Sequence, residues 1–520
     1  MPPHPIDAQA LTVFLIVSLA IAAIGFFSAK WKRGNLGVLD EWGLAGRQFG
    51  TLITWFLIGG DFYTAYTIIA VPALVFGVGA LGFFALPYTI IVYPFVFATM
   101  PRLWAVSQRH GYVTPADFVK GRYGSRTLAT VVAFTGIMAI LPYIALQLVG
   151  MQSILDQVGL SENTPLLHNL PITIAFLILA FFTYSSGLRA PAMIAVAKDL
   201  LIYIVVIACI IILPIELGGF AHIFHIASST WSSSGGAASM ILKPKDFTAY
   251  SSLALGSALA AFMYPHTITS VLASKSGQVI RRNAALLPAY TLLLGLIALL
   301  GIMGVAAGLH PASTSQVVPE LLSRYFPSWF AGLSFAAIVI AALVPAAIMS
   351  IAAANLYTRN FYREFLRPNA TPAQESSAAK NASIFVQIGA LIFVFLASHT
   401  FIINLQLLGG IWILQTLPAI VFGLWKRCFH HHSLLLGWGV GIVVGTSMAA
   451  VLRLHSSVYT VHMHGFTLSL YAGIWSLAAN LLVTAGSSYG FDRWGKARRQ
   501  DATVDEDYLM LEKQPIERTG

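Results

Sequence analysis

Lys198 and Asp199 are neighbouring charged residues inside an otherwise apolar run, AMIAVAKDLLIYIVVIACIIILPI. A charged side chain at the centre of a lipid bilayer costs roughly 2.5–3.5 kcal/mol on insertion scales, so such a residue is by default a hypothesis about function. Opposite charges shielded from water are suited to holding an ion or exchanging a proton. This pair is therefore the first place to look for chemistry in the chain.

Two further apolar runs contain residues that interrupt a helix. In WFLIGGDFYTAYTIIAVPALVF, Gly59 and Gly60 precede Asp61, and each glycine weakens a helix by about 1 kcal/mol. In ALAAFMYPHTITSVLASKS, Pro265 lacks a backbone donor and is followed by His266. Gly and Pro also serve packing in membrane helices, so each break by itself leaves both interpretations open. Two interrupted helices in separate halves of a chain are nevertheless typical of a transporter's midplane binding site.

The composition indicates a membrane protein. Of the 520 residues, 57% are hydrophobic and 10% are charged, whereas about 25% are charged in a typical soluble chain. A membrane span needs about 20 predominantly apolar residues. We therefore predict an all-α polytopic protein with about thirteen transmembrane helices. Their approximate bounds are 9–29, 50–77, 79–100, 125–155, 168–187, 190–214, 249–273, 284–308, 328–358, 382–403, 405–425, 434–453 and 466–488.

The positive charges are unevenly distributed among the connecting loops. If the amino terminus is outside, most of the 30 Lys and Arg residues fall on the inner side. This bias favours a multi-pass protein of the cytoplasmic (inner) membrane with its carboxyl terminus in the cytoplasm. In the longest outer loop, 215–248, the stretch SSTWSSSGGAAS predicts flexible cover.

Several other classes of function lack the motifs that they require. The sequence has no HExxH pattern for a zinc hydrolase and no P-loop for an ATP-driven pump. The tail from 490 onward is too short for the signalling domain of a sensor. The histidines of CFHHHS, 428–433, are expected to flank the inner membrane face without a ligand role, and metal binding is the alternative. Those of LHSSVYTVHMHG, 454–465, are expected to be ordinary residues of an outer loop, and zinc binding or pH sensing is the alternative. We expect no enzymatic activity, no cofactor and no nucleic-acid partner.

Several motifs, in their order along the chain, resemble the sodium:solute symporter family. They are DEWGLAGRQFG, YVTPADFVKGRYGSRTL, LPYIALQLVG, PHTITSVLASKSGQVIRRNAALLP, NLYTRNFYREFLRP and LPAIVFGLWKR. Within the family, these motifs most resemble those of bacterial monocarboxylate permeases, which carry pyruvate, lactate, propionate and alanine-like substrates. The resemblance implies a LeuT-like fold of two inverted five-helix repeats whose first helices are discontinuous.

The resemblance also implies the organisation of the chain. We expect one transmembrane transporter domain, 1–490, with core repeats at about 50–214 and 249–425, followed by a cytoplasmic tail, 491–520. The expected partners are a small organic anion and the lipid bilayer, and the oligomeric state is left open.

An ion site follows from the same resemblance. In the family, sodium is bound by backbone carbonyls around the first break, here near Gly59 and Phe62, and by a carboxylate that matches Asp199. A neighbouring Ser/Thr pair on the ninth span completes the site. The matching positions are Val344 and Pro345, which carry no hydroxyl group. Two of the expected sodium ligands are therefore absent.

This departure suggests proton coupling. Hard cations prefer several oxygen ligands, and two are missing. Lys198 directly precedes Asp199, and its ammonium can fill the space of a sodium ion. A lysine shielded from water can alternate between charged and neutral forms. We therefore predict that Lys198 replaces the sodium ion, with Asp199 or Asp61 as its counter-charge, so that the coupling ion is H⁺; coupling to Na⁺ is the alternative.

The helical position of the lysine supports a buried role. Lys198 lies nine residues after Arg189, about 13 Å along a helix, which is near the middle of a hydrocarbon core about 30 Å thick. Adjacent helical residues project about 100° apart. Lys198 and Asp199 are therefore not expected to pair face to face, and at least one needs a partner on another helix. Alternatively, the helix is tilted and Lys198 reaches the membrane boundary.

A carboxylate substrate requires hydrogen-bond donors in a dry pocket, which the amino termini of broken helices supply. We expect the substrate to lie at the two breaks. His266 aligns with an inner-gate position of the family and either closes the site or shares a proton. Any single aromatic or apolar residue among those expected at the site can instead serve ordinary packing. The expected substrate-binding residues are Gly60, Asp61, Tyr63, Thr64, Tyr143, Gln147, Phe262, Met263, Tyr264, His266, Trp412 and Gln415.

Overall fold

The computed structural model describes residues 7–28, 34–158, 165–233, 238–396, 408–463 and 466–509. Within these ranges the regular secondary structure is helical apart from one two-stranded hairpin. The helices are α1 (Ala8–Phe27), α2 (Leu39–Leu44), α3 (Thr51–Phe62), α4 (Ala65–Val78), α5 (Ala85–His110), α6 (Pro115–Tyr123), α7 (Arg126–Gln157), α8 (Pro165–Ser186), α9 (Arg189–Glu216), α10 (Phe220–Ser233), α11 (Phe247–Ala261), α12 (Pro265–Leu272), α13 (Gly277–Leu286), α14 (Pro288–Ala306), α15 (Val317–Tyr325), α16 (Ser328–Tyr357), α17 (Pro372–Leu396), α18 (Leu408–Leu424), α19 (His431–Val451) and α20 (Ala472–Arg493).

The number of spans differs from the prediction. Among the described residues, nine helices are long and apolar enough to cross a membrane, or ten if the bent pair α11 and α12 forms one span. The thirteen predicted helices are therefore not confirmed. One reason is that the run near 50–77 folds as two short helices, α3 and α4, and another is that α18 is also short. The predicted boundary between the spans 382–403 and 405–425 lies outside the described residues.

The last predicted span begins with a strand instead of a helix. Strands β1 (Val458–Met463) and β2 (Phe466–Tyr471) form an antiparallel hairpin, and α20 follows it directly. The sequence FTLSLY alternates apolar and hydroxyl-bearing residues, a pattern that favours a strand. Facing hydroxyl groups of Thr460 and Ser469 lie 2.8 Å apart across the hairpin.

The stretch SSTWSSSGGAAS, predicted as flexible cover, is instead helical over its residues 228–233. They form the end of α10, in which Ile223, Ala227 and Trp231 recur at one-turn spacing and are buried. The indole Nε1 of Trp231 donates to the carbonyl oxygen of Phe76 at 3.3 Å. A stripe of this kind stabilises an amphipathic helix despite its Ser and Thr content.

Helix α16 lies at the centre of the protein and is buried along almost its whole length. It packs against α1, α7 and α9, and it also contacts α3 and α12. Helix α9 in turn packs against α3. This arrangement holds the charged pair on α9 against the first helix break, and contacts between α12 and α3 bring the second break close to the first.

Candidate functional site

The first break separates α3 from α4 at Tyr63 and Thr64, whose backbone leaves the helical conformation. Tyr63 has φ −99° and ψ 79°, and Thr64 is extended with φ −98° and ψ 169°. The Thr64 hydroxyl accepts a hydrogen bond from the Thr67 backbone N–H at 3.2 Å and so caps α4. Carbonyl groups at the end of α3 lose their helical partners and become available to other donors.

Lys198 occupies these free carbonyls. Its Nζ donates to the carbonyl oxygens of Gly60 at 2.6 Å and Tyr63 at 3.0 Å, and it lies 2.9 Å from Oδ1 of Asp199. The side chain has no exposed surface. The alternative in which Lys198 reaches the membrane boundary is therefore wrong for this structure. The carbonyls are each one residue beyond the expected Gly59 and Phe62, because Gly59 still accepts a helical bond from the backbone of Tyr63.

The expectation that Lys198 and Asp199 would not pair was also wrong. Their Cβ atoms project from α9 in different directions, but the four-carbon lysine side chain is long enough to reach back to the carboxylate. The second part of the expectation is confirmed, since both residues also bind partners outside α9. Lys198 binds the α3–α4 break, and Asp199 accepts from a tyrosine on α14.

The paired glycines allow this close approach. A Cβ at Gly60 would lie 2.9 Å from Nζ of Lys198 and 3.0 Å from Oδ2 of Asp199. A Cβ at Gly59 would overlap the ring of Tyr290. Both positions lie within α3 and have helical backbone, so the glycines are required for space and do not themselves form the break.

Tyr290 is a site residue that the sequence analysis missed. Its hydroxyl donates to Oδ2 of Asp199 at 2.6 Å. Its backbone carbonyl accepts a short hydrogen bond from the Tyr63 hydroxyl, and the two rings lie 4.8 Å apart. Tyr290 comes two residues after the family motif PHTITSVLASKSGQVIRRNAALLP, at the start of the apolar helix α14. A tyrosine at such a position is usually interpreted as a membrane-interface anchor. No local pattern in the sequence distinguishes the two roles.

The side chains at the expected sodium-ligand positions on α16 carry no hydroxyl oxygen. Val344 and Pro345 are both buried in the middle of this helix, which packs against α9 and α3. The side chain of Phe62, also expected at the ion site, lies outside the described part of the structure.

The second break separates α11 from α12, whose axes differ in direction by 50°. Pro265 is the first residue of α12, a position where its missing N–H costs no helical hydrogen bond. Phe262 and Met263 lie in the break and are buried, with the backbone of Met263 turning back to Ala260 at 2.9 Å. The predicted interruption at this proline is therefore present as a change of direction between two helices.

Asp61 and His266 connect the two breaks. Nε2 of His266 lies 3.6 Å from Oδ2 of Asp61, and both side chains are buried. Thr267 also hydrogen-bonds to the Asp61 carboxylate. Among the described residues, Oδ1 of Asp61 and Nδ1 of His266 have no hydrogen-bond partner. Unpaired buried polar atoms of this kind are costly and suggest that a ligand or water completes their bonding.

Aromatic side chains surround this pair. The Tyr143 ring on α7 lies 5.6 Å from the rings of both Tyr264 and His266, and those two rings are 5.4 Å apart. One turn along α7, Gln147 is fully buried, and neither polar atom of its side chain has a partner within the described ranges. The structure therefore brings Tyr143, Tyr264 and His266 together, with a buried free amide on the same helix.

Trp412 and Gln415 are not part of this cluster. The Trp412 indole donates to Thr446 Oγ1 at 2.9 Å, and the Gln415 amide donates to Ser476 Oγ at 2.9 Å. Gln415 also accepts from Asn480. These bonds hold α18 against α19 and α20, so the side chains serve packing between helices. Their polarity in an apolar run was the reason for the prediction, and helix–helix hydrogen bonding explains it equally well.

Metal chemistry has no visible basis in the part of the chain that the structure describes. No group of three or more His, Cys, Asp or Glu side chains in these ranges is placed to hold a metal ion. His430, His431 and His432 stack on one another at the start of α19, with ring centroids 4.1–5.3 Å apart.

The comparisons with known proteins agree with this geometry. The family model described as "Sodium:solute symporter family" matches residues 42–441. A monocarboxylate transport permease protein of Rhizobium johnstonii is 53% identical over 482 residues, which cover 92% of this chain and 96% of the relative. An uncharacterised symporter of Bacillus subtilis, YodF, is 30% identical, with 92% of each chain covered.

A solved structure shows the same fold. The Na⁺-coupled sialic acid symporter in its substrate-bound outward-open state superposes with a TM-score of 0.74 at 15% identity, covering 94% of this chain and 99% of that one. At this identity the likeness concerns the fold alone, which is LeuT-like. The family match and the identity to the Rhizobium relative together show that this chain is a polytopic solute transporter that belongs to the sodium:solute symporter family.

Proposed function

We propose that the protein is a secondary active symporter that imports short monocarboxylates, namely pyruvate, lactate, propionate or alanine-like solutes, across the cytoplasmic membrane. Protons drive the transport, and the ammonium of Lys198 takes the place of the sodium ion. The named function of the Rhizobium relative supports the substrate class. The surroundings of Lys198 support the coupling ion.

The observation that carries the coupling proposal is the set of groups around Nζ of Lys198. An ammonium has three donors, and here it meets two backbone carbonyls and one carboxylate. Hard cations are bound by the same kinds of oxygen atoms. Val344 and Pro345 add no further oxygen from their side chains. The site is therefore matched to a protein-borne cation with three donors and is poorly equipped for a bare sodium ion.

A change in the protonation of Lys198 would act directly on the helix break. The charged ammonium holds Gly60 and Tyr63 of the broken segment against α9. When the proton leaves to water, the neutral amine binds carbonyls more weakly, and Asp199 loses its counter-charge. The contact between α9 and the α3–α4 break is then weakened. Protonation is in this way coupled to the opening and closing of the helices that line the site.

The substrate is proposed to lie between the two breaks. The first turns of α4 and α12 present backbone N–H groups that suit a carboxylate. Asp61 faces the same region and would repel an anion, so the neighbouring His266 or a bound proton must balance its charge. Tyr143 and Tyr264 supply an aromatic wall against which a short aliphatic chain would pack.

The arrangement in the membrane completes the proposal. Residues 1–490 form one transporter domain with repeats at about 50–214 and 249–425, the amino terminus is outside, and the tail after 490 is cytoplasmic. The excess of Lys and Arg in the loops on the side of the tail supports this orientation.

A substrate test uses purified protein in proteoliposomes with labelled pyruvate outside. We expect saturable uptake above protein-free vesicles, with unlabelled lactate, propionate and alanine tested as competitors. Asp61→Asn should alter the KM for pyruvate, whereas the outer-loop change Lys245→Ala, at an exposed position, should not. Absence of uptake of pyruvate, lactate, propionate and alanine, each supplied in labelled form, would overturn the proposed substrate class.

Sodium-coupled symport is the second candidate. It is favoured by membership of a family named for sodium and by the fold shared with a Na⁺-coupled symporter. The two candidates differ in whether a sodium gradient alone drives uptake.

A further inference from the structure

A large cavity lies at the face of the protein that carries the tail. It has a volume of about 1420 Å³ and lies between the carboxyl-terminal half of α5, the loop before α13 and α13 itself. Tyr508 and Leu509 of the tail form part of its wall. The volume exceeds the range of roughly 300–1,000 Å³ that is usual for a drug-sized ligand, so the cavity has room for a larger molecule.

Positive charge dominates the wall of this cavity. Five cationic residues line it, and Glu506 is the one carboxylate among its described lining residues; the five are Arg102, Arg109, Lys275, Arg281 and Arg282. Arg109 is partly balanced by Asp507 at 3.4 Å. Arg102 donates to the carbonyl oxygen of Leu424 at 2.9 Å and stacks on Trp425.

Four of the five cations have no ionic partner in the ranges that the structure describes; Arg102, one of the four, is held by the Leu424 carbonyl and the Trp425 ring. No carboxylate there lies within 4.0 Å of Lys275, Arg281 or Arg282. Lys275 and Arg282 are exposed. Nε of Arg281 is buried without a hydrogen-bond acceptor, while its guanidinium carbon lies 5.3 Å from the centre of the Phe97 ring. The cavity therefore presents four positive charges without an ionic partner, three of them on Lys275, Arg281 and Arg282, and at least one unsatisfied buried donor.

The surroundings of the cavity are apolar and face the lipid. Phe97 on α5 and Leu286 at the end of α13 are 47% and 52% exposed, and Trp425 is exposed beside them. Further along, Ile90 on α5 and Leu292 on α14 are 58% and 70% exposed. Large apolar side chains with this exposure on spanning helices contact acyl chains. A cationic recess thus opens directly onto a lipid-facing surface.

We propose that this cavity binds the headgroup of an anionic phospholipid. The phosphate would lie against Lys275, Arg281 and Arg282, and the acyl chains would pack along Phe97 and Leu286. Basic pockets between transmembrane helices on the cytoplasmic side commonly take anionic headgroups. A free phosphate ion shares the chemistry of the headgroup, but it has no acyl chains to pack against Phe97 and Leu286. The wall formed by Tyr508 and Leu509 makes the tail part of the same site.

Lipid binding is tested on the full-length protein in detergent micelles. Phosphatidylglycerol is titrated while retained lipid is measured by native mass spectrometry, with phosphatidylcholine of the same acyl chains and inorganic phosphate in parallel. Each charge near a lipid surface contributes about 1 kcal/mol, or roughly fivefold in affinity. The double variant Lys275→Gln/Arg282→Gln should therefore bind phosphatidylglycerol about 25-fold more weakly than the native chain.

Controls separate a specific site from general charge. Arg493→Gln/Lys496→Gln removes two exposed charges from the same face outside the cavity and should leave binding within about twofold of the native chain. The triple variant that adds Arg281→Gln should weaken binding further. Equal binding of phosphatidylcholine, unchanged binding by Lys275→Gln/Arg282→Gln, or displacement of the lipid by millimolar inorganic phosphate would each overturn the proposal. None of these outcomes depends on whether the protein transports monocarboxylates.

Discussion

Nζ of Lys198 lies 2.6 Å from the carbonyl oxygen of Gly60, which joins the charged pair on α9 to the break between α3 and α4. The two residues are 138 positions apart in the chain, and the contact is completely buried. A charge-assisted hydrogen bond to a backbone carbonyl is stronger than a neutral one. We therefore expect the position of the broken helix to depend on the charge of Lys198.

Removal of that charge is expected to destabilise the protein. In Lys198→Met, the Asp199 carboxylate is left buried without its counter-charge, and the free energy of unfolding should fall by about 3–5 kcal/mol. The double variant Lys198→Met/Asp199→Asn removes both charges and should recover much of this loss. Thermal unfolding of purified protein in detergent provides the measurement. Equal destabilisation by the single and double variants would show that the pair is not ionic in the folded protein.

A methyl group at Gly60 should separate α3 from α9. In Gly60→Ala the new Cβ would meet Nζ of Lys198 at 2.9 Å and Oδ2 of Asp199 at 3.0 Å, so one of them must move. We expect loss of most pyruvate uptake. Gly77→Ala is the matched control on the next helix, because nothing lies within 4 Å of a Cβ there. This control should keep native uptake and should stabilise α4 by up to about 1 kcal/mol.

The hydroxyl of Tyr290 is expected to contribute to the site through Asp199. Tyr290→Phe keeps the ring packing and removes the donor to Oδ2 of Asp199, which leaves a buried acceptor unpaired at a cost of about 1–3 kcal/mol. The thermal midpoint should decrease and the pH profile of uptake should shift. Tyr489→Phe, at a residue that is 70% exposed, should change neither quantity. A normal pH profile in Tyr290→Phe would assign the tyrosine to packing alone.

Asp507 should hold the tail against the end of α5 across the physiological pH range. Burial acts to raise the pKa of this carboxyl, but hydrogen bonds from His110 and from the Val504 backbone outweigh that effect and lower the pKa below its ordinary value of 3.8. A group whose pKa is lowered by folding contributes stability above its unfolded pKa of about 3.9 and loses that contribution as the pH falls through the lower folded value. Tail docking should therefore not change with this carboxyl between pH 5 and 8.

The test of this prediction is hydrogen–deuterium exchange of the segment 500–509. In Asp507→Asn, protection should fall about fivefold at pH 7, since the ion pair to Arg109 and the carboxylate contact to His110 are lost at roughly 1 kcal/mol. Glu506→Gln is the charge-matched control, because Arg109 binds the backbone carbonyl of Glu506 and not its side chain. Equal effects of the two variants would indicate general charge instead of a specific contact.

The sequence located the charged pair and both breaks because each departs from the pattern of an apolar helix. A buried Lys–Asp pair, a Gly–Gly–Asp step and a Pro–His step are visible locally, and the structure places Lys198, Asp61 and His266 at or beside the breaks. Val344 and Pro345, which lack hydroxyl groups, were identified by the spacing of the family motifs. That spacing indicates which residues of distant helices lie together, and composition does not.

Other parts of the site depend on contacts that no local pattern encodes. Tyr290 reaches Asp199 across 91 positions of the chain, and its own surroundings in sequence are ordinary. Lys198 pairs with Asp199 because its side chain is long enough to bend back to the carboxylate. The angle between adjacent residues on a helix does not take this length into account. The sequence could not separate two roles for Trp412, because a polar group in a membrane helix suits a binding site and a helix–helix contact equally well.

The most direct test of proton coupling compares two driving forces in the same proteoliposomes. Labelled pyruvate uptake is measured with an inward proton gradient in sodium-free medium, and separately with an inward sodium gradient at equal pH, for the native chain, Lys198→Ala and the control Lys245→Ala. Proton-driven accumulation that persists in the control and disappears in Lys198→Ala is the predicted result. Accumulation that requires sodium, shows no response to the proton gradient and is unaffected by Lys198→Ala would contradict the role proposed for this lysine.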